Sequence, residues 1–345
     1  MHLGFSSPGI RAIKPLLVTG LLIFLQGCGL IYKSTGDILI NYGRDEMLPY
    51  VMTNDDTEMA CALGESMTPL LMSFEAVGSD PDKLAVLQYV TAGSCSQARA
   101  LDAELRYMRN IEQGNVTEAQ DARIVQKRQA ATAAQRQFEA YNRMVREYGQ
   151  IKENECPDLD EDFDQMVWMV GLIAGTQALM NDGTSGGQVG VPRNIAAKVS
   201  RGAACLENTK WWGVPNGIRG AIWNILPPLA PENAEPWAEL DKAEEIGFDQ
   251  GVRLGSALYA MAGYSKGDNE RVREAIREFA EYDESKINNE YRMLDTMAHT
   301  IILGLSDRLW TEATGKRTPI GGLGTFWDDG GSGGQQDNSD IEDLL

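Results

Sequence analysis

Histidine is the scarcest chemistry-bearing residue in this chain: of 345 residues only His2 and His299 carry an imidazole. A single histidine in the folded part cannot build a two-histidine metal site. None of the five cysteines stands in a Cys-x-x-Cys spacing, which removes the usual dithiol redox motif and the zinc ribbon. No glycine loop ending in lysine is present to cradle a nucleotide phosphate. Cations are also short: 31 Lys and Arg stand against 50 Asp and Glu, a net charge of −19. Such a chain does not seek nucleic acid or anionic head groups, although it could steer a basic partner. Alternating strand patterns are nearly missing, and no apolar run reaches the ~20 residues of a spanning helix.

The longest apolar run at the start, Leu16 to Leu25, follows two cations, Arg11 and Lys14, and leads into Gln26-Gly27-Cys28. A basic start, a short apolar core and a small residue before the cut are the parts of a secretory signal. Leu25, Gly27 and Cys28 resemble a bacterial lipobox, in which the cysteine is lipidated and becomes the new N-terminus. The plain alternative is an ordinary cleaved signal. Residues 1–27 are thus read as the signal peptide and Cys28 as the lipid anchor to the membrane. Gly29, where an inner-membrane retention signal would have Asp, points to the outer membrane, facing the periplasm. Removing residues 1–27 takes two cations and no anion, so 318 residues remain with a net charge of −21.

With Cys28 given to lipid, Cys61, Cys95, Cys156 and Cys205 remain, an even number in an oxidising compartment. Two structural disulfides are the simplest account, and three connectivities are open. Cys61–Cys95 with Cys156–Cys205 is favoured because each pair would tie neighbouring helices. Each loop would add roughly 3–4 kcal/mol in the chain-entropy model. Free buried thiols are the alternative.

The rest of the chain reads as helices. Asn54 to Thr57 is an N-cap cluster opening a helix in which Pro69 should act as a kink or divider. Gly78 to Pro81 starts the next helix, which Gly93-Ser94 should break; a further helix runs from Ser96 to Glu112. Thr117 to Tyr148 has no Gly or Pro and bears a seam of Val125, Phe138, Tyr141, Val145 and Tyr148. It predicts a long antiparallel arm, with a homo-oligomeric coiled coil as a further possibility. Phe163 to Met180 is apolar nearly all round and predicts a buried central helix, with Gly171 and Gly175 admitting a close neighbour. After a glycine-rich loop from Asp182 to Gly190, a helix from Pro236 to Met261 would carry Gly247, Gly251 and Gly255 on one stripe. The fold class is all-α: a helical-hairpin array, either a degenerate tetratricopeptide-like repeat or a bundle. Residues 28–155 form an N-terminal helical half, 156–319 a C-terminal half, and 320–345 a disordered acidic tail.

No constellation of catalytic residues stands out. Gly183 to Gly187 matches the nucleophile-elbow string around Ser185, but that elbow needs a strand before it and a helix after it. His299 reads as a core or groove residue. Asp158, Asp160 and Asp162 start like a calcium loop, yet Phe163 and Met169 stand where glycine and a bidentate glutamate are required. No catalytic residue, metal ligand or cofactor site is assigned. What remains is a binding surface in which Trp211, Trp212 and Trp223, with the gaps at Gly251 and Gly255, could line a pocket for a small apolar or amphipathic ligand. They could equally be core.

The lipobox, the helical pairs, Phe163–Met180 with its internal glycines and the Ala/Leu-rich hairpins together resemble the T-component of TRAP transporters, a family of TatT-like periplasmic lipoproteins. The resemblance spans most of residues 30–315. It implies an α-helical, non-enzymatic envelope protein that partners a periplasmic solute-binding protein and holds a ligand for uptake. The competing class is a helical scaffold that assembles other envelope proteins without a ligand, and an enzyme comes third. A contiguous apolar cavity near Trp211, Trp212 and Gly251 would favour the first, a filled core with a flat acidic face the second, and a buried Asp/Glu pair opening to a cleft the third. The lipidation reading predicts that the protein partitions into detergent and incorporates labelled palmitate, and that Cys28→Ala abolishes both.

Overall fold

The computed structural model describes residues 29–153 and 155–329. The signal, the lipobox, Cys28 and residues 330–345 lie outside these. Every regular element among the described residues is helical. Residues 29–42 form α1, which passes through a π-helical turn at Gly43–Met47 into α2, Leu48–Met52. Then follow α3 Thr57–Ser73, α4 Asp82–Glu112, α5 Val116–Tyr148, α6 Asp162–Ser185 and α7 Ile195–Ala203. The second half holds α8 Val214–Ile225, α9 Pro236–Gln250, α10 Leu254–Lys266, α11 Asn269–Glu281 and α12 Arg292–Thr314. Among the described residues no helix is long and apolar enough to cross a membrane.

Helices α4 and α5 form the long antiparallel hairpin, flanked by α3 on one side and α6 on the other. The seam is made less of bulky residues than of alanine. Ala119, Ala122, Ala130, Ala133, Ala134 and Ala140 of α5 are buried, facing a helix α4 that itself buries Ala85, Ala92, Ala100 and Ala103. Small side chains let the two axes approach. At that crossing Gly93 does not break α4, which runs unbroken through it. A Cβ on Gly93 would lie 2.9 Å from Cγ of Gln137, so the glycine serves a close contact. Pro69 likewise sits inside an unbroken α3. Gln137 is fully buried and hydrogen-bonded: its Nε2 donates to Oε1 of Gln97 at 3.0 Å and of Gln177 at 3.2 Å, and its Oε1 accepts from Asn181 at 2.8 Å. This amide cluster joins α4, α5 and α6.

Helix α6 is the buried central helix, with Trp168, Met169 and Leu172 almost without exposure. Gly171 and Gly175 meet α5: an added Cβ would stand 2.5 Å from Sδ of Met144 and 2.7 Å from the Tyr141 ring. The main core contains residues from both sides of residue 156, from Val86 and Tyr141 to Trp212 and Met293. The two halves therefore share one interior. The disulfides are Cys61–Cys95 and Cys156–Cys205, joining α3 to α4 and tying the start of the connector before α6 to the end of α7.

Two further expectations change. The helix from Pro236 to Met261 is two helices, because Gly251 adopts φ +72° and ends α9. Its carbonyl accepts from the Asn288 N–H at 3.0 Å, and a Cβ there would fall 2.3 Å from the Lys286 oxygen. The tail does not begin at Ile320. Residues 320–329 lie against α11 and α12, with Phe326 buried, the Trp310 indole donating to the Thr325 carbonyl at 3.1 Å, and Arg273 and Arg277 holding Asp328 and Asp329.

Helix α10 crosses α9 so closely that a Cβ on Gly255 would lie 2.4 Å from the Ala243 carbonyl oxygen. Backbone cannot yield as a side-chain tip can. Gly255→Ala is therefore expected to destabilise by about 3 kcal/mol or more. Gly183, exposed on α6 with nothing within 4 Å, is the control: Gly183→Ala should stabilise by about 0.5–1 kcal/mol through helix propensity alone. Urea unfolding of the two variants checks the pair.

Candidate functional site

The residues expected to line a ligand pocket are core. Trp211 and Trp212 are each 3% exposed and Trp223 is 5% exposed. Trp211 packs edge-on against Trp212 with ring centroids 5.3 Å apart, and Trp212 meets Tyr291 at 4.6 Å. The Trp211 indole donates to Gln165 Oε1 at 2.9 Å. Trp212 holds φ +54°, a left-handed backbone that tryptophan seldom adopts, kept by this packing and by Gly213, whose own Cβ position lies 2.6 Å from Ala243. Gly251 and Gly255 leave no room for a ligand: the first ends a helix and the second lets α10 touch α9. Trp223 borders a groove.

Two solvent-open grooves flank α9, which contributes to the walls of both. The first, about 570 Å³, is bordered by Trp223, Pro231, Glu232, Glu235, Glu239 and Lys242. The second, about 510 Å³, lies between α9 and α11 with Tyr259 of α10, and its lining is dominated by carboxylates. Asp241, Glu245 and Asp249 of α9 and Glu274 and Glu278 of α11 stand exposed around it. Phe248 and Tyr259 supply aromatic wall. Arg271, the one cation in the lining, is taken: it donates to the Tyr259 hydroxyl at 2.6 Å, lies over the Trp237 ring at 4.4 Å and pairs with Asp268 at 3.2 Å.

Glu244 also lines this groove but is 8% exposed, and its Oε1 is buried without a hydrogen-bond partner. The fully buried Ser256 hydroxyl is likewise unpartnered. It lies near enough to favour the ionised carboxyl without making a regular hydrogen bond to it. Burial pushes Glu244 up to about 7, with the Glu278, Asp241 and Glu274 charges adding to the rise. Glu278 itself is raised, first by burial and then by Glu274 and Glu281.

Other candidates are internally satisfied. Asp80, Asp82 and Glu147 bring ligand oxygens within 4.8 Å of one another, but Asp82 already accepts from Arg143 at 2.9 Å and Arg146 at 2.5 Å, and Glu147 faces Lys83 at 3.5 Å. Ser185 donates to the Asp182 carbonyl at 2.8 Å, and the Asp182 carboxylate accepts from the Val189 and Val191 amides, each at 2.9 Å; this serine builds a loop. His299 packs on Phe279 at 6.1 Å and is held below its ordinary pKa by burial and then by Arg253. Asp162 pairs with Lys210 at 2.6 Å.

The acidic groove carried a signal in the sequence that went unread. Asp241, Glu245 and Asp249 repeat at four-residue steps on α9, as do Glu274 and Glu278 on α11. Like charges at that spacing disfavour an isolated helix. No protein family, curated protein or solved structure matches the chain.

The proton on Glu244 sets a pH dependence. A carboxyl raised from 4.5 to about 7 by folding keeps its proton where the unfolded chain has lost it. Its stabilising contribution is full below about pH 4.5 and is lost as pH rises through about 7. Ionising it in the fold costs about 3 kcal/mol. Glu244→Gln should remove this loss, so thermal melts compared between about pH 4 and about pH 8 should show a smaller decline than wild type.

Proposed function

We propose that this protein is a non-enzymatic, lipid-anchored envelope protein, similar to the TRAP transporter T-component, that docks a periplasmic solute-binding protein. The observation that carries the binding role is α9, a helix fixed from behind by glycine-mediated backbone contacts and open in front to two polar grooves. Rigid backing with unpartnered polar groups in front is what a recognition surface requires. The two disulfides, Cys61–Cys95 and Cys156–Cys205, support an oxidising compartment outside the cytoplasm. The Cys28 anchor would keep the body at a membrane, and the outer membrane facing the periplasm is the proposed site. A ligand, if carried for uptake, belongs beside α9 and not among Trp211 and Trp212.

The filled core around those two tryptophans favours the second reading, a helical scaffold that assembles envelope proteins without a ligand. Co-expression with the solute-binding protein of the same cell's TRAP transporter separates the two. Native mass spectrometry of the soluble form starting at Gly29 should give a defined complex of the two chains. If the protein stays alone with every such partner, the transport reading fails and the scaffold stands.

A further inference from the structure

The groove between α9 and α11 holds more uncompensated negative charge than a structural surface needs. Its carboxylates come from two helices, and its single cation, Arg271, is already shared among Tyr259, Trp237 and Asp268. Glu244 belongs to its wall, nearly buried and without a regular hydrogen bond to its Oε1, with the Ser256 hydroxyl close by. A buried carboxyl whose one neighbouring donor, Ser256, makes no regular hydrogen bond to it is costly to keep charged. A donor arriving from the groove would relieve that cost.

The distribution of the carboxylates defines the donor. Three ligand oxygens must converge to hold a metal ion. Among the described residues the one such convergence is Asp80, Asp82 and Glu147, elsewhere in the fold. The groove carboxylates are strung along α9 at Asp241, Glu245 and Asp249 and along α11 at Glu274 and Glu278, so they match charges spaced along a chain. Phe248 and Tyr259 add aromatic carbon to a lining that is otherwise mostly carboxylate, a surface suited to methylene groups between ammonium groups. A volume of about 510 Å³ lies within the range of small-molecule sites.

We propose that this groove is a binding site for a linear aliphatic polyamine, with one ammonium donating to Glu244 and the others lying against the carboxylates of α9 and α11. The assignment goes beyond the partner-docking role and does not rest on it, since the isolated protein suffices to bind.

Titration calorimetry of the purified protein with spermidine at fixed ionic strength tests it. Saturable binding to one site is expected. Glu244→Gln should weaken it by at least about tenfold, as expected when one member of a desolvated charge pair is removed. Because a core substitution could perturb the fold, the exposed double variant Glu274→Gln/Glu278→Gln provides an independent arm and should weaken binding by a similar order. Glu118→Gln/Asp121→Asn, exposed at the start of α5, should leave it unchanged. The proposal is overturned if spermidine gives no saturable heat, if magnesium at equal ionic strength competes as well as spermidine does, or if folded Glu274→Gln/Glu278→Gln binds like wild type. It is also overturned if only a lysine-rich peptide binds, which would make the groove a protein-docking surface.

Discussion

The guanidinium of Arg253 holds the second half of the molecule together. It lies in the short break between α9 and α10, nearly without exposure, and donates to both carboxylate oxygens of Asp295 on α12, at 2.9 and 2.6 Å. It also donates to the Phe279 carbonyl on α11 at 2.8 Å, and the Arg253 backbone amide completes the Asp295 shell at 3.0 Å. Its flat face covers the Phe279 ring at 3.8 Å. Two buried charges of opposite sign lose much of their attraction to desolvation, but leaving one alone is far worse, by about 3–5 kcal/mol. The pair therefore acts less as a source of stability than as a condition. The chain between α9 and α12 has to take a path that brings these two residues together.

That condition explains how α9 comes to be open on one side. Gly251 ends the helix so that Arg253 can turn inward, and α10 then runs back across α9 with Gly255 against Ala243. Gly213, Gly217 and Gly220 of the preceding segment approach α9 in the same manner. Four close approaches occupy its rear. What faces solvent is the row of carboxylates, and Glu244 falls at the border between the two environments, which is why burial dominates its ionisation.

The fold was legible in the sequence wherever one residue type acts locally. Apolar periodicity marked much of α3 to α6, the N-cap at Asp56 was visible, and the even number of cysteines pointed to two pairs, of which the favoured pairing is the one found. Glycine was harder. Gly93, Gly251 and Gly255 look alike in sequence, yet one is a helix crossing, one a helix terminus and one a backbone contact, and the difference lies in partners distant along the chain. Gln137 was unreadable for the same reason: an amide in a polar helix looks solvated until Gln97, Gln177 and Asn181 surround it. The tryptophans could not be assigned from sequence because aromatic size serves a pocket wall and a core equally well: Trp211 and Trp212 are core, and Trp223 borders the first groove. Glu244 was hidden by its neighbours, since one acid among many on α9 gives no local sign that its oxygen is unpartnered. Tail composition misled in the opposite direction, as Phe326 and the aspartates after it anchor a segment rich in glycine.

Helix α12 returns to the first hairpin. Arg308 pairs with Glu104 at 3.0 Å and Arg317 with Asp102 at 2.5 Å, contacts between residues more than 200 positions apart. A stack of helical repeats with a free last member frays from that member inward, one joint at a time. Here late helical elements meet early ones, in the manner of a closed truss. The last long helix is therefore not a free end: it is held against the first hairpin as well as against its neighbours in sequence. The same bracing fixes the bearing of the α9 face relative to the α4–α5 arm, and a molecule held at one would meet anything gripping the other at a constant angle.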